Sequence, residues 1–195
     1  MSITKKLLLT TIIAAQAALL GGCVAAVGAG AVTGAAVAHD RRTAGTFVDD
    51  NLIEMKAVGA LQSDEELWNY SHLNVTSYNN IVLLTGESPS EALRQRAAQT
   101  VANLQKVRKV HNEVVVAAPS SLVSRSGDTV ITGKVKTALI NNKEVDATRI
   151  KVVTENGVVY LMGLVTQTEA DTATEVTRRV GGVQRVVRIF EYIDS

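Results

Sequence analysis

The chain has 195 residues, one cysteine and a formal net charge of +1. That balance excludes the broad basic footprint that nucleic-acid binding demands, and a single cysteine excludes an internal disulfide framework. The length suits one domain of middling size or two small ones.

Lys5 and Lys6 open a short positive region, and Leu7 to Leu20 form an apolar run without charge. The run falls short of the roughly 20 residues that span a bilayer, so residues 1–22 are predicted to be a removed secretory signal peptide. Leu20-Gly21-Gly22-Cys23 puts the cysteine directly after small residues, with a leucine three positions before it. This resembles the bacterial lipobox. The resemblance implies a diacylglycerol on the Cys23 sulfur and an acyl chain on the new amine, and no other cofactor is expected. Each buried methylene contributes about 0.8 kcal/mol, so several chains anchor stably where one does so marginally. Val24 stands where an aspartate retains such lipoproteins at the inner membrane. Its presence predicts an outer-membrane anchor with the globular part facing the periplasm. Losing 22 of 195 residues leaves 173, and losing Lys5 and Lys6 brings the side-chain charge to −1.

Residues 24–38 are almost all Ala, Val and Gly, and the polar break His39-Asp40-Arg41-Arg42 follows. Glycines weaken an isolated helix by nearly 1 kcal/mol each, so residues 23–45 read as a flexible tether. The alternative is a small-residue helix that packs on or within the membrane. His39 reads as solvated rather than as a metal ligand.

From residue 46 to 118, and again from 128 to 195, the chain gives the same order of signals. Asp50 is a candidate N-cap, followed by Ile53, Ala57, Ala60 and Leu61 at helical spacing. Asp128, Ile131, Val135, Ala138 and Leu139 repeat the pattern. Next, Leu73, Val75, Val82 and Leu84 alternate around Asn79-Asn80, and Ile150, Val152, Val159 and Leu161 alternate around Asn156-Gly157. An Asn-Gly pair between such runs is a strong hairpin signal, because a type I′ turn needs positive φ at both central positions. Each hairpin ends in a glycine, Gly86 or Gly163.

A second helix is predicted from Ser90 to Gln105 and from Thr168 to Val180, then a last strand from Val110 to Val116 and from Val186 to Ile193. Residues 119–127 have linker composition. A strand reached through a helix can lie parallel to its neighbour, while the first two pair antiparallel. The predicted fold class is α+β: two tandem αββαβ sandwiches, each with a three-stranded mixed sheet and two helices. Domains this small bury only about 60% of their unfolded surface, which favours docking of the copies on each other.

The two units resemble BON domains through a strand-turn-strand element ending in glycine, Val158-Val159-Tyr160-Leu161-Met162-Gly163-Leu164-Val165, and through Val183-Gln184-Arg185-Val186. Val153-Thr154-Glu155-Asn156-Gly157 through Val165-Thr166 is the most specific part, and the likeness covers nearly the whole chain. Lipobox, small-residue tether and two such units together resemble the dual-BON outer-membrane lipoproteins. The resemblance implies a non-enzymatic protein whose second domain binds anionic phospholipid, which supports envelope integrity and concentrates at the division site.

The residues themselves point to the first helix of the second repeat. If Ile131, Val135, Ala138 and Leu139 face the sheet, Val130, Lys134, Thr137 and Ile140 face away, with Lys136 nearby. Apolar side chains around a lysine suit a membrane interface, where a cation meets lipid phosphate. Packing of Val130 and Ile140 on the linker or the other domain is the competing reading. The first repeat offers Leu52, Lys56, Gly59 and Gln62 in the same places, a less apolar set. Residues 46–118 carry six basic against nine acidic side chains, and residues 128–195 carry nine against nine, so the second copy approaches an anionic bilayer more easily.

Trp68 and Tyr70 read as a plug for a small core, with membrane or partner contact as the alternative. Arg178 and Arg179 read as a solvated helix end that could also meet phosphate. His39, His72 and His111 are scattered, Asp64-Glu65-Glu66 reads as a solvated run, and no catalytic or metal motif is seen, so no enzyme is expected. The expected partners are an anionic phospholipid membrane and, in a second reading, an envelope protein that the chain would serve as adaptor, with a monomer favoured.

Overall fold

Both repeats open on a helix that starts earlier than its candidate cap, and in both the aspartate has another task. In the computed structural model, which describes residues 40–118 and 122–194, α1 spans Ala44–Gln62 and begins at Thr43, whose hydroxyl accepts from the Thr46 amide. Asp50 lies inside α1 and is buried, accepting from the Asn79 and Asn80 amides at 2.8 Å each and from the Ser77 hydroxyl at 2.6 Å. It caps the hairpin turn rather than the helix, because a carboxylate on the core side of α1 meets the two amides that a type I′ turn leaves unpaired. Asp128 does the same from inside α4, Leu122–Ile140, accepting from the Asn156 and Gly157 amides at 2.8 Å each. Most of the segment read as linker, 119–127, is therefore helical. The signal peptide, Cys23, residues 24–38 and His39 lie outside the described residues.

A short helix, α2 at Glu65–Tyr70, follows α1, with the Asp64 carboxylate accepting from the Leu67 amide. This cap turns Leu67 inward, where it is fully buried, and leaves Trp68 and Tyr70 exposed. The plug is Leu67, which corrects the assignment to the aromatics. The acidic run itself is paired, since Arg96 reaches both Asp64 and Glu66.

The strands β1, His72–Tyr78, and β2, Ile81–Ser88, pair antiparallel around Asn79 and Asn80, whose φ values are 52° and 62°. A helix α3, Glu91–Ala102, leads to β3, Lys109–Asn112, and β4, Val115–Val116, both parallel to β2. The expected single strand is broken between them, where Arg94 donates to the Asn112 and Val114 carbonyls. In the second repeat β5, Ile150–Glu155, and β6, Val158–Val165, form the hairpin. Then α5, Gln167–Arg178, opens on a capping box of Thr166 and Glu169 and leads to β7, Arg185–Tyr192, parallel to β6. Both repeats follow the expected αββαβ order with a mixed sheet; the second has the expected three strands, while the first adds α2 and, with its last strand broken, counts four.

Every residue of β2 is buried, which a sheet with one wet face does not allow. Val82 and Leu84 face the helices of their own repeat, while Ile81 and Leu83 face the other sheet. Likewise Val159 and Leu161 serve their own core, while Tyr160 and Met162 join Ile81, Leu83, Tyr78 and Ile189 in a third core between the sheets. The repeats are docked face to face. Polar ties ring this core: Lys151 to Glu54 at 2.8 Å, Arg108 to Glu191 at 2.7 Å and Asn156 to Glu87 at 2.6 Å.

The polar break before α1 is fixed rather than free. Arg42 pairs with Asp40 at 2.5 Å and with Asp50 at 2.7 Å, and its guanidinium lies 3.9 Å from the Tyr78 ring centre. Arg41 donates to the Leu164 carbonyl at 3.0 Å and pairs with Glu169 at 2.6 Å. Arg41 and Arg42 thus bridge the repeats, Arg42 holding Asp50 of the first and Arg41 holding Glu169 of the second.

Candidate functional site

On α4 the buried residues are Asp128, Val135 and Leu139, with Ile131 half-buried. Asp128 fixes this face by holding the turn amides, and the Thr132 and Thr154 hydroxyls bond at 2.7 Å. At about 100° per residue, the opposite face must present Val130, Gly133, Thr137 and Ile140. Val130 is 56% and Ile140 70% exposed. Lys134 and Lys136 fall on opposite flanks of this ridge, and among the described residues neither has an ion-pair partner. Thr137 turns its hydroxyl back on the Gly133 carbonyl at 2.9 Å, so it offers mainly its methyl group outward.

Beside the ridge lie two hollows. One, of about 250 Å³, is lined by Lys136, Leu139, Ile140, Ala147, Ile150 and Val152. It is an apolar slot with one ammonium at its rim. The other, of about 320 Å³, runs from Lys136 and Ile150 to Arg42, Phe47 and Tyr78. Burial, with Asp40 beside it, pushes the Tyr78 hydroxyl up to about 12, so it stays protonated and donates to the Arg149 carbonyl at 3.3 Å. Lys136 and Ile140 thus share one slot, while Val130, Lys134 and Thr137 line neither hollow. Ile150, Val152 and Ala147 were missed as site residues. Their alternation marked a strand, but only the packing of α4 on β5 opens a slot between them.

In the first repeat the expected Leu52, Lys56, Gly59 and Gln62 are all exposed, and the same outward face also carries Val48 and Met55, with Met55 71% exposed. That makes the face more apolar than those four residues alone. Arg178 and Arg179 both pair with Glu175, at 3.0 and 3.6 Å. Burial, then Lys109, pushes the His111 imidazole down. Among the described residues one group could hold a metal ion, formed by His72, Glu87 and Glu155.

Residues 49–118 and 127–193 each match the BON domain. The outer membrane lipoprotein DolP of Haemophilus influenzae is 37% identical over 175 residues, covering 90% of this chain and 91% of that protein. A 21 kDa hemolysin of Actinobacillus pleuropneumoniae is 37% identical over 154 residues, 79% of each chain. The osmotically-inducible protein Y of Escherichia coli is 30% identical over 145 residues, 73% of this chain and 72% of that one.

Proposed function

The chain belongs to the BON domain family as an outer-membrane lipoprotein, and from that premise we propose that its second repeat binds anionic phospholipid through the outward face of α4. The observation that carries this reading is an exposed apolar pair, Val130 and Ile140, between two lysines that have no ion-pair partner among the described residues. Full burial of a valine or isoleucine side chain is worth about 1.5–3 kcal/mol, and each lysine near an anionic surface adds about 1 kcal/mol. Shallow insertion, without an aromatic on this face, realises part of the first sum. The total of roughly 5 kcal/mol corresponds to a dissociation constant of a fraction of a millimolar.

Such a contact is weak for a free protein and sufficient for a tethered one. A lipid anchor at Cys23 holds the reader at an effective concentration on the order of millimolar. The apolar slot beside Lys136 is of a size to take the upper part of an acyl chain, with the ammonium at the phosphate. In the cell, a reader of this kind supports outer-membrane integrity and gathers where anionic phospholipid is accessible, the division site included.

The test is amide-shift mapping by NMR of the unacylated mature protein on phosphatidylglycerol micelles. Shifts are expected on α4, Ile150 and Val152. Shifts confined to residues 46–118 would overturn the reading.

A second reading has its own observation. The outward stripe of Val48, Leu52 and Met55 on α1, together with Val115 and Val116 on β4, leaves apolar surface on the first repeat that suits an envelope protein. A photo-crosslinker at Met55 that captures one protein in cells, unchanged by Val130→Glu with Ile140→Glu, would make the chain an adaptor.

A further inference from the structure

We propose that the junction of the two repeats is a divalent transition-metal site of the zinc class, with His72, Glu87 and Glu155 supplying one nitrogen and two carboxylate oxygens. His72 opens β1 and stands directly opposite Glu87 across the β1–β2 pair, while Glu155 ends β5 in the other repeat. One ligand atom from each lies within 4.8 Å of the other two. A tetrahedral zinc ion with bonds near 2.1 Å sets its ligands about 3.4 Å apart, so small side-chain rotations close the set.

The burial of these groups is what calls for a cation. Glu87 is 2% and Glu155 7% exposed, and among the described residues neither carboxylate has an ion-pair partner. Two carboxylates taken out of water side by side repel, and buried charge is retained where it is paired or bound to metal. Glu87 Oε1 accepts from the Asn156 side-chain amide at 2.6 Å, but among the described residues Glu87 Oε2 has no hydrogen-bond partner. A buried acceptor left in this state is costly, and metal coordination would satisfy it.

Asn74 completes the arrangement. Its Nδ2 lies 2.9 Å from Glu155 Oε2 and 3.2 Å from His72 Nε2, so the amide bridges two of the three ligands as a cation would. Turning the amide over presents Oδ1 as a fourth ligand, and the two ends of an amide differ little in shape. A hollow of about 250 Å³ lined by His72, Asn74, Asp128, Thr132 and Glu155 opens onto the site and gives ion and water a way in. Imidazole with carboxylate oxygens suits Zn²⁺ and excludes a preference for soft Cu(I). Because two ligands belong to the first repeat and one to the second, the ion clasps the docked pair.

The probe is Zn²⁺ itself, titrated into the full mature lipoprotein in detergent micelles, without a histidine tag and after removal of metal by a chelator. One ion per chain is expected, with micromolar or tighter affinity and a rise of several degrees in the unfolding midpoint. The near-isosteric Glu87→Gln and Glu155→Gln, and His72→Ala, should each weaken Zn²⁺ by about tenfold or more. Glu87→Gln should leave the metal-free midpoint unchanged or higher, which separates lost coordination from lost folding. Absence of saturable binding at one ion per chain would overturn the proposal, and so would binding indifferent to these variants. A raised metal-free midpoint in Glu87→Gln with no Zn²⁺ response would show that the carboxylates share a proton instead.

Discussion

Arg41 and Glu169 meet at 2.6 Å across 128 residues of sequence, and through them the polar break before α1 is clasped to the second repeat. Burial alone would raise the Glu169 carboxyl, but hydrogen bonds from Arg41 and the Thr166 amide, with the Arg41 charge, outweigh it and hold the group at about 2 against an ordinary 4.5. A carboxylate depressed on folding contributes stability in full above pH 4.5, and that contribution is lost as pH falls through 2. Arg41→Ala should therefore cost about 1–2 kcal/mol at pH 6. Thermal unfolding should show a midpoint lower by several degrees at pH 6 and a much smaller gap at pH 2.5. An equal gap at both pH values would show that Arg41 acts by packing alone.

Asp50 and Asp128 are the two carboxylates that hold the hairpin turns, and each turn offers two amides at 2.8 Å. Hydrogen bonds to a charged group contribute about 1.5–3 kcal/mol, so Asp128→Ala should cost about 3 kcal/mol in urea unfolding. Asp50→Ala should cost more, because Arg42 loses one of its two acidic partners in a buried place. Costs below about 1 kcal/mol at both positions would mean that solvent replaces the carboxylates.

Two glycines should respond with opposite sign. Gly86 has φ +116°, and a Cβ there would lie 1.9 Å from the His72 carbonyl oxygen, which is backbone and cannot step aside. Gly133 lies in α4 with nothing within 4 Å of a Cβ. Gly86→Ala should destabilise by about 3 kcal/mol or more, while Gly133→Ala should stabilise by about 0.5–1 kcal/mol. Chemical denaturation of the pair checks both, and a stabilised Gly86→Ala would refute the close approach of β1.

The docked sheets predict that the repeats melt together. Leu83 is buried among side chains of both repeats, so Leu83→Ala should cost about 2–5 kcal/mol and keep a single calorimetric transition. Two separate transitions in the parent protein would contradict docking.

How far these features were legible in the sequence differs from residue to residue. Asn156-Gly157 announced its hairpin because the turn is local, and the repeat announced the αββαβ order. The runs Ile81-Val82-Leu83-Leu84 and Val158-Val159-Tyr160-Leu161-Met162 were read as alternation, though a continuous apolar run is what a sheet buried on both faces requires. Asp50 has the residue type of an N-cap, and only the fold shows it meeting a turn 29 residues later. Trp68 and Tyr70 read as the plug by size, yet the cap at Asp64 turns Leu67 inward and leaves both aromatics exposed. On α4, spacing alone located Val130, Lys134, Lys136 and Ile140, because a long amphipathic helix carries its orientation in its period. The slot floor of Ile150 and Val152, and the meeting of His72 with Glu155, depend on contacts between distant elements.

The most direct test of the membrane reading is cosedimentation of the unacylated mature protein with phosphatidylglycerol vesicles, compared among parent, Val130→Glu with Ile140→Glu, and Leu52→Glu with Met55→Glu. The parent should bind in a salt-sensitive manner, the α4 pair should lose binding by about tenfold or more, and the α1 pair should bind like the parent. Loss of binding by the α1 pair with retention by the α4 pair would contradict the assignment of the second repeat as the lipid reader.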